Sequence, residues 1–367
     1  MDLSPLFKEF KFKNLTLKNR FVMAPMTRSK SPNGIPTQLS KDYYTRRADG
    51  DVGLIITEGV NIDRSSSAGY PDVPVIDEGT LSIWQEITSS VHQSGGKIAI
   101  QLWHVGCIRS LEFDKENKVE SVSPSGVYPL DSKAANHQTR SLELSEVEGI
   151  VNSFAEAAAN AKKAGFDAIE IHAAHGYLID QFFWDVTNKR QDKYGGQTLG
   201  ERTRFAVEIV KACREQVGTE FPIILRFSNW KLGRYEQNLF SNTQELEEFI
   251  KPLSNAGVDI FHASSRNYSQ PEFEGSALNL AGWTQKISQK PTITVGSVGL
   301  DSDFISSFKD AENSNIENLV DRMSNDEFDL VAVGRALLGE PNWVKKVKEN
   351  NFDSIIPYTK ESLEKLY

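Results

Sequence analysis

The stretch AIEIHAAHGYLIDQFFWDVTNKRQDKYGG, residues 168–196, decides how the chain is read. Ala168-Ile169-Glu170-Ile171 is a short, largely apolar run that ends at His172, and it reads as a buried strand. His175 and Tyr177 follow at fixed offsets on the same loop. Two imidazoles and a phenol at one strand end supply two hydrogen-bond donors and a proton donor. That set suits activation of a carbonyl or nitro oxygen followed by protonation of a nearby carbon.

Working outward, the same pattern recurs. Apolar or β-branched runs stand at Phe21–Ala24, Gly53–Thr57, Lys97–Leu102 and Ala168–His172, then at Pro222–Phe227, Val258–Ala263, Pro291–Val295 and Leu330–Val333. Helical patterns lie between them, at Thr80–Ser94, Ser145–Ala164, Leu199–Val217, Thr243–Ala256, Asn279–Ser288, Ser302–Ser324 and Asn342–Glu349. Ser145 and Glu148 have capping-box spacing, and Gly165, Gly218 and Gly257 stand where left-handed helix ends need no Cβ. Eight such units predict a closed (β/α)₈ TIM barrel of the α/β class, one domain spanning residues 1–367. Residues 7–19 alternate around Lys13-Asn14 and predict a hairpin plugging the N-terminal mouth. Residues 104–144, rich in Ser, Pro, Gly and charge, follow the third strand and predict a lid over the C-terminal face.

Composition excludes several classes. A net charge of −9, with basic residues set among acids, gives no stripe for nucleic acid. Cys107 and Cys213 are the only cysteines, so a disulfide framework or Cys-rich cluster site is ruled out and a reducing compartment is expected. There is no apolar signal core and no apolar run of about 18 residues, so a cytoplasmic protein without a membrane partner is expected. Whether it is a monomer or a homo-oligomer is left open by the sequence.

Two glycine loops mark a candidate cofactor site. Gly296-Ser297-Val298-Gly299 follows the seventh strand and Gly334-Arg335 the eighth, where barrels gather backbone N–H groups around a phosphate. Arg335 would add a charge-assisted contact. The alternative is that the glycines only turn the chain and Arg335 pairs with a surface acid. No G-x-G-x-x-G opens a helix after a strand, so a mononucleotide such as FMN fits better than a dinucleotide. His172 and His175 could instead ligate a metal, with His104 or His262 as a third ligand. No carboxylate is evidently supplied for such a site, and no metal is expected.

Six segments in strand order resemble the Old Yellow Enzyme family of flavin-dependent ene-reductases. They are Asn19–Arg28, Gly53–Gly59, Ile98–His104, Ala168–Gly196 with its Thr187–Gly196 run, Leu225-Arg226, and the two glycine loops. The resemblance implies bound FMN and NADPH or NADH as reductant. It places Ala24, Pro25, Met26 and Gly59 at the flavin ring, Thr27 at its O4, Gln101 at its pyrimidine edge and Arg226 near N1 and O2. Gly296, Ser297, Gly334 and Arg335 would hold the phosphate. It makes His172 and His175 the donors to the substrate's activating oxygen and Tyr177 the proton donor to its α-carbon. Tyr70 and Trp103 would shape the substrate wall, or else serve only as packing aromatics. The activity implied is reduction of activated C=C bonds in unsaturated carbonyl or nitro compounds.

The chain departs from the family pattern in places. His175 stands where many members have Asn, and Gly59 where Ala is frequent. Ser264–Ser269, after strand six, varies freely in the family and predicts nothing. Alternatives of other classes are a flavin-free barrel lyase or metal-dependent hydrolase acting on a phosphorylated small molecule, and a non-catalytic flavin-storage protein.

Overall fold

A short hairpin comes first: β1 (Phe10–Phe12) and β2 (Leu15–Leu17) pair antiparallel about Lys13-Asn14. The structure, a computed structural model, describes residues 1–64, 66–110, 120–130, 138–303, 305 and 309–367. Next come β3 (Phe21–Met23), β4 (Leu54–Asn61), β5 (Lys97–Trp103), the small pair β6 (Ser121–Ser123) and β7 (Thr139–Ser141), and β8 (Ala168–His172). The series ends with β9 (Ile223–Phe227), β10 (Ile260–Ser264), β11 (Thr292–Val295) and β12 (Leu330–Val333). Strands β3, β4, β5, β8, β9, β10, β11 and β12 are parallel neighbours in that order, and β12 returns to β3. The barrel is closed, as the spacing predicts.

The barrel interior divides by height. Near the N-terminal ends, Val22, Ile56, Ile224 and Ile293 meet the hairpin's Phe10, Leu15 and Leu17 in one apolar cluster. Leu15 and Leu17 are fully buried. Each such side chain contributes about 1.5–3 kcal/mol by leaving water, so the plug is part of the core. A salt bridge from Lys13 to Asp259 (2.6 Å) ties the hairpin tip to the start of β10.

Helices cover the outside, and several of them differ from the sequence expectation. A helix at Gln38–Asp49 lies between β3 and β4; its buried face is Tyr43, Tyr44, Arg47 and Ala48, which reads as polar in sequence. Among the described residues, the α-helix expected over Ser302–Ser324 spans Glu317–Ser324. Before it, Leu300 bridges Asn313 and Ala311 bridges Tyr358, so part of that polar stretch pairs as extended chain; residues 304 and 306–308 lie outside the described residues. The helix Leu144–Lys163 starts a residue early, and its cap is the Glu146 carboxylate accepting the Glu143 N–H (2.8 Å), not Ser145 with Glu148. Gly165, Gly218 and Gly257 all have positive φ, as expected.

Of the expected lid, residues 111–119 and 131–137 lie outside the described residues. Its described part rests on the loop after β8: the Ser125 hydroxyl accepts the Lys189 N–H (2.8 Å) and the Pro124 carbonyl accepts from Arg190 (2.7 Å).

Candidate active site

A cavity of about 320 Å³ opens at the C-terminal ends of the barrel strands. Ala24, Pro25, Met26, Thr27, Gln101, Trp103, His172, His175, Tyr177, Arg226, Gly296, Ser297, Gly334 and Arg335 all line it. Gly59 and Tyr70 are not in its wall. A Cβ on Gly59 would come within 2.4 Å of the Trp103 ring, so glycine here makes room for that tryptophan. Tyr70 stacks on Trp103 (5.7 Å between ring centroids), and its hydroxyl accepts from the Tyr177 hydroxyl. Several wall residues have no signal in the sequence, among them Trp230, Leu232, Ser264 and Leu363. Among the described residues, none of 104–144 contributes to the wall.

His172 ends β8 with its Nδ1 accepting the Ala174 N–H (3.3 Å). A neutral ring so held carries its hydrogen on Nε2. His175 sits in left-handed backbone at φ 64°, strained for a non-glycine residue. The loop after β9 holds it there. The His175 N–H donates to the Ser228 hydroxyl (2.9 Å), and the His175 carbonyl accepts from the Leu232 N–H (3.2 Å). Underneath, the buried Lys231 ammonium pairs with Asp180 (2.6 Å), whose other oxygen accepts the Gly176 N–H (2.6 Å). The His175 ring stacks on Trp230 (4.4 Å) and its Nε2 meets the Ser264 hydroxyl (2.8 Å).

Protonation follows from burial. Desolvation, with the nearby Arg226 cation, pushes the pKa of both His172 and His175 well below the usual value. Both rings are therefore neutral near pH 7. Tyr177 is pushed well above the usual phenol value by burial, with neighbouring Tyr70 as the next cause, so it keeps its proton.

Beneath the cavity Glu170 organises a buried network. Its Oε1 accepts from the Gln101 amide (2.7 Å) and its Oε2 from His262 Nδ1 (2.6 Å). Gln101 thus keeps its carbonyl oxygen free for the cavity. Buried Arg226 Nε, Trp103 Nε1 and His262 Nε2 have no partner among the described residues. His262, expected as a possible metal ligand, is spent on Glu170. Among the described residues no group of three or more His, Cys, Asp or Glu side chains is placed to hold a metal.

At the other side of the cavity, a Cβ on Gly296 would come within 2.6 Å of the Ser265 carbonyl, and its φ of 128° suits glycine alone. Arg335 is half-buried, and its two Nη atoms hydrogen-bond to Ser302. The free Thr27 hydroxyl, the Gln101 oxygen, the orphaned Arg226 nitrogen and two bare glycine loops form a donor and acceptor set that fits a flavin mononucleotide.

The model of the NADH:flavin oxidoreductase / NADH oxidase family matches residues 5–353, and the chain belongs to that family. It is 35% identical to the NADH oxidase of Thermoanaerobacter brockii over 360 residues, 95% of this chain but 52% of that protein, so it spans about half that relative's length. It is 33% identical to the NADPH dehydrogenase of Listeria monocytogenes over 360 residues, 96% of this chain and 97% of that one. The solved structure of the Old Yellow Enzyme homologue from Zymomonas mobilis superposes with a TM-score of 0.79 at 27% identity, over 99% of this chain and 96% of that one. The resemblance read from the six segments is borne out.

Proposed function

We propose that this protein is an FMN-dependent NAD(P)H oxidoreductase that reduces activated C=C bonds of unsaturated carbonyl or nitro compounds. The observation that carries this reading is the convergence of two neutral imidazoles and one protonated phenol on a single cavity whose opposite wall is bare backbone at Gly296 and Gly334. Bound FMN would accept a hydride from NAD(P)H and pass it to the substrate's β-carbon. The chain's own residues do the rest. Thr27, Gln101 and Arg226 hold the ring, and Gly296, Ser297, Gly334 and Arg335 the phosphate. His172 and His175 offer N–H groups to the activating oxygen, favouring the enolate-like charge that develops there. Tyr177, still protonated at neutral pH, delivers a proton to the α-carbon. Trp103 and the Tyr70 stacked on it close one wall of the substrate space.

The metal-hydrolase alternative would need a third ligand beside His172 and His175, and His262 faces Glu170 instead. The test is spectroscopic. Purified protein should carry yellow FMN that bleaches with NADPH and recolours with cyclohexenone. His172→Ala should slow that recolouring by about 10²–10³, the usual loss for one oxyanion donor. Colourless protein, or stoichiometric zinc that disappears in His172→Ala, overturns the reading.

A further inference from the structure

Ser264 belongs to the segment that predicts nothing in sequence, yet its hydroxyl lies between the Arg226 guanidinium and the His175 ring. Arg226 Nη2 donates to Ser264 Oγ at 3.2 Å, and Ser264 Oγ stands 2.8 Å from His175 Nε2. Both Arg226 and Ser264 are buried, and the Ser264 carbonyl takes the Trp230 indole N–H (2.9 Å), which fixes the end of β10 against the His175–Trp230 stack.

Hydrogen accounting settles the direction of the short contact. A guanidinium has no acceptor, so the Arg226 contact uses a lone pair of Ser264 Oγ. The hydroxyl's single hydrogen then needs an acceptor, and among the described residues the only one in reach is His175 Nε2. Were the imidazole to donate instead, the serine hydrogen would be left buried and unpaired, a costly arrangement. The adjacent cation further polarises the hydroxyl toward donation.

We infer that Ser264 is a positioning residue that fixes the tautomer of His175: Arg226 donates to Ser264, Ser264 donates to His175 Nε2, and the ring of this cavity-lining residue is left with its hydrogen on Nδ1. This inference rests on the proposed role of the histidine pair. Its consequence is specific. His172 presents Nε2–H because its Nδ1 is taken by the backbone, and His175 presents Nδ1–H because its Nε2 is taken by Ser264. Neither ring then keeps an unoccupied acceptor nitrogen. The pair selects ligands through an oxygen that only accepts, a phenolate or the carbonyl of an enone, over one that must donate. An Asn at position 175 would carry its own N–H and would need no such partner.

The test reads ring protonation and ligand binding. In the FMN-loaded parent, long-range ¹H–¹⁵N correlation of labelled histidines should show His175 protonated at Nδ1 and bare at Nε2; protonation at Nε2 overturns the inference without recourse to any variant. Ser264→Ala should weaken binding of 4-chlorophenol, measured by calorimetry, by about tenfold to a hundredfold, the range for a hydrogen bond to a charged oxygen. Ser264→Thr, which keeps the hydroxyl, should restore most of it. In a His175→Asn background, Ser264→Ala should lose its effect, since the amide needs no tautomer partner. Equal phenol affinity in parent and Ser264→Ala overturns the inference and leaves the site reading intact. A parent that binds no phenol at all overturns both.

Discussion

The two mouths of the barrel are built from the same strands and treated in opposite ways. At the N-terminal mouth Phe10, Leu15 and Leu17 fill the space, and the charged tip of the hairpin is paired by Lys13 with Asp259. At the C-terminal mouth the strands bring His172, Arg226 and Ser264 to the cavity, and buried Arg226 Nε and Trp103 Nε1 have no partner among the described residues. A buried donor without an acceptor costs free energy in the folded chain. One mouth is packed for stability, and the other carries unsatisfied polar groups among the described residues. Mutations at the two ends should therefore fail in different ways.

The largest expected effect is at the open mouth. Tyr177→Phe keeps the ring and its edge contact with Trp103 (4.9 Å) and removes one hydroxyl. Bleaching by NADPH in stopped flow should change little, because the proposed role of Tyr177 is confined to protonation of the substrate carbon. Reoxidation by cyclohexenone should slow by ~10²–10⁴, the contribution of a positioned general acid. Reoxidation by a quinone, which needs no carbon protonation, should stay near the parent rate. A Tyr177→Phe enzyme that reduces cyclohexenone as fast as the parent would mean that another acid supplies the proton.

Next in size is the sealed mouth. Leu17→Ala removes a fully buried side chain from the plug and should destabilise the protein by about 2–5 kcal/mol, read as a lower unfolding midpoint in urea. Turnover of cyclohexenone at 25 °C should be unchanged. A large loss of activity in a variant that is still folded would break the separation between the two ends.

The sequence makes the same division visible, unevenly. Barrel strands are legible because parallel strands covered on both faces are near-continuous apolar runs, and the observed ends fall close to the expected ones except at β4, which runs to Asn61 and not Thr57. His172, His175 and Tyr177 are legible because one strand and one loop carry all three. What is not legible depends on contacts across the barrel. Ser264 and Trp230 matter only because β9 and β10 bring them against His175, and an alternation of residue types carries no trace of that. Leu363 reaches the cavity from the far end of the chain, and Arg28 Nη2 holds that segment through the Ser362, Leu363 and Lys365 carbonyls. Gly59 is the converse case: its link to Trp103 is a steric exchange between β4 and β5, whereas the resemblance alone placed it at the flavin.

The smallest expected effect concerns the glycine loops, where the open mouth itself divides. Gly296 and Gly334 offer backbone, which side-chain substitution elsewhere leaves in place, and Arg335 offers charge. Its guanidinium is half-buried, burial moves its pKa down from the usual value, and both Nη atoms are engaged with Ser302. Arg335 can therefore act on a phosphate directly, by giving up those bonds, or indirectly, by bracing the loop after β11. Removing a charged hydrogen bond costs ~1.5–3 kcal/mol, so Arg335→Ala should weaken FMN by roughly tenfold to a hundredfold, measured by dialysis and fluorescence of the released flavin. Riboflavin, which has the ring and no phosphate, separates the two roles. If Arg335 contacts the phosphate, riboflavin should bind Arg335→Ala and the parent alike. If riboflavin and FMN lose affinity together, Arg335 works as a brace for the Gly296–Ser302 loop. If neither loses affinity, the phosphate is held by backbone alone, and the two glycine loops carry that end of the site without a cation.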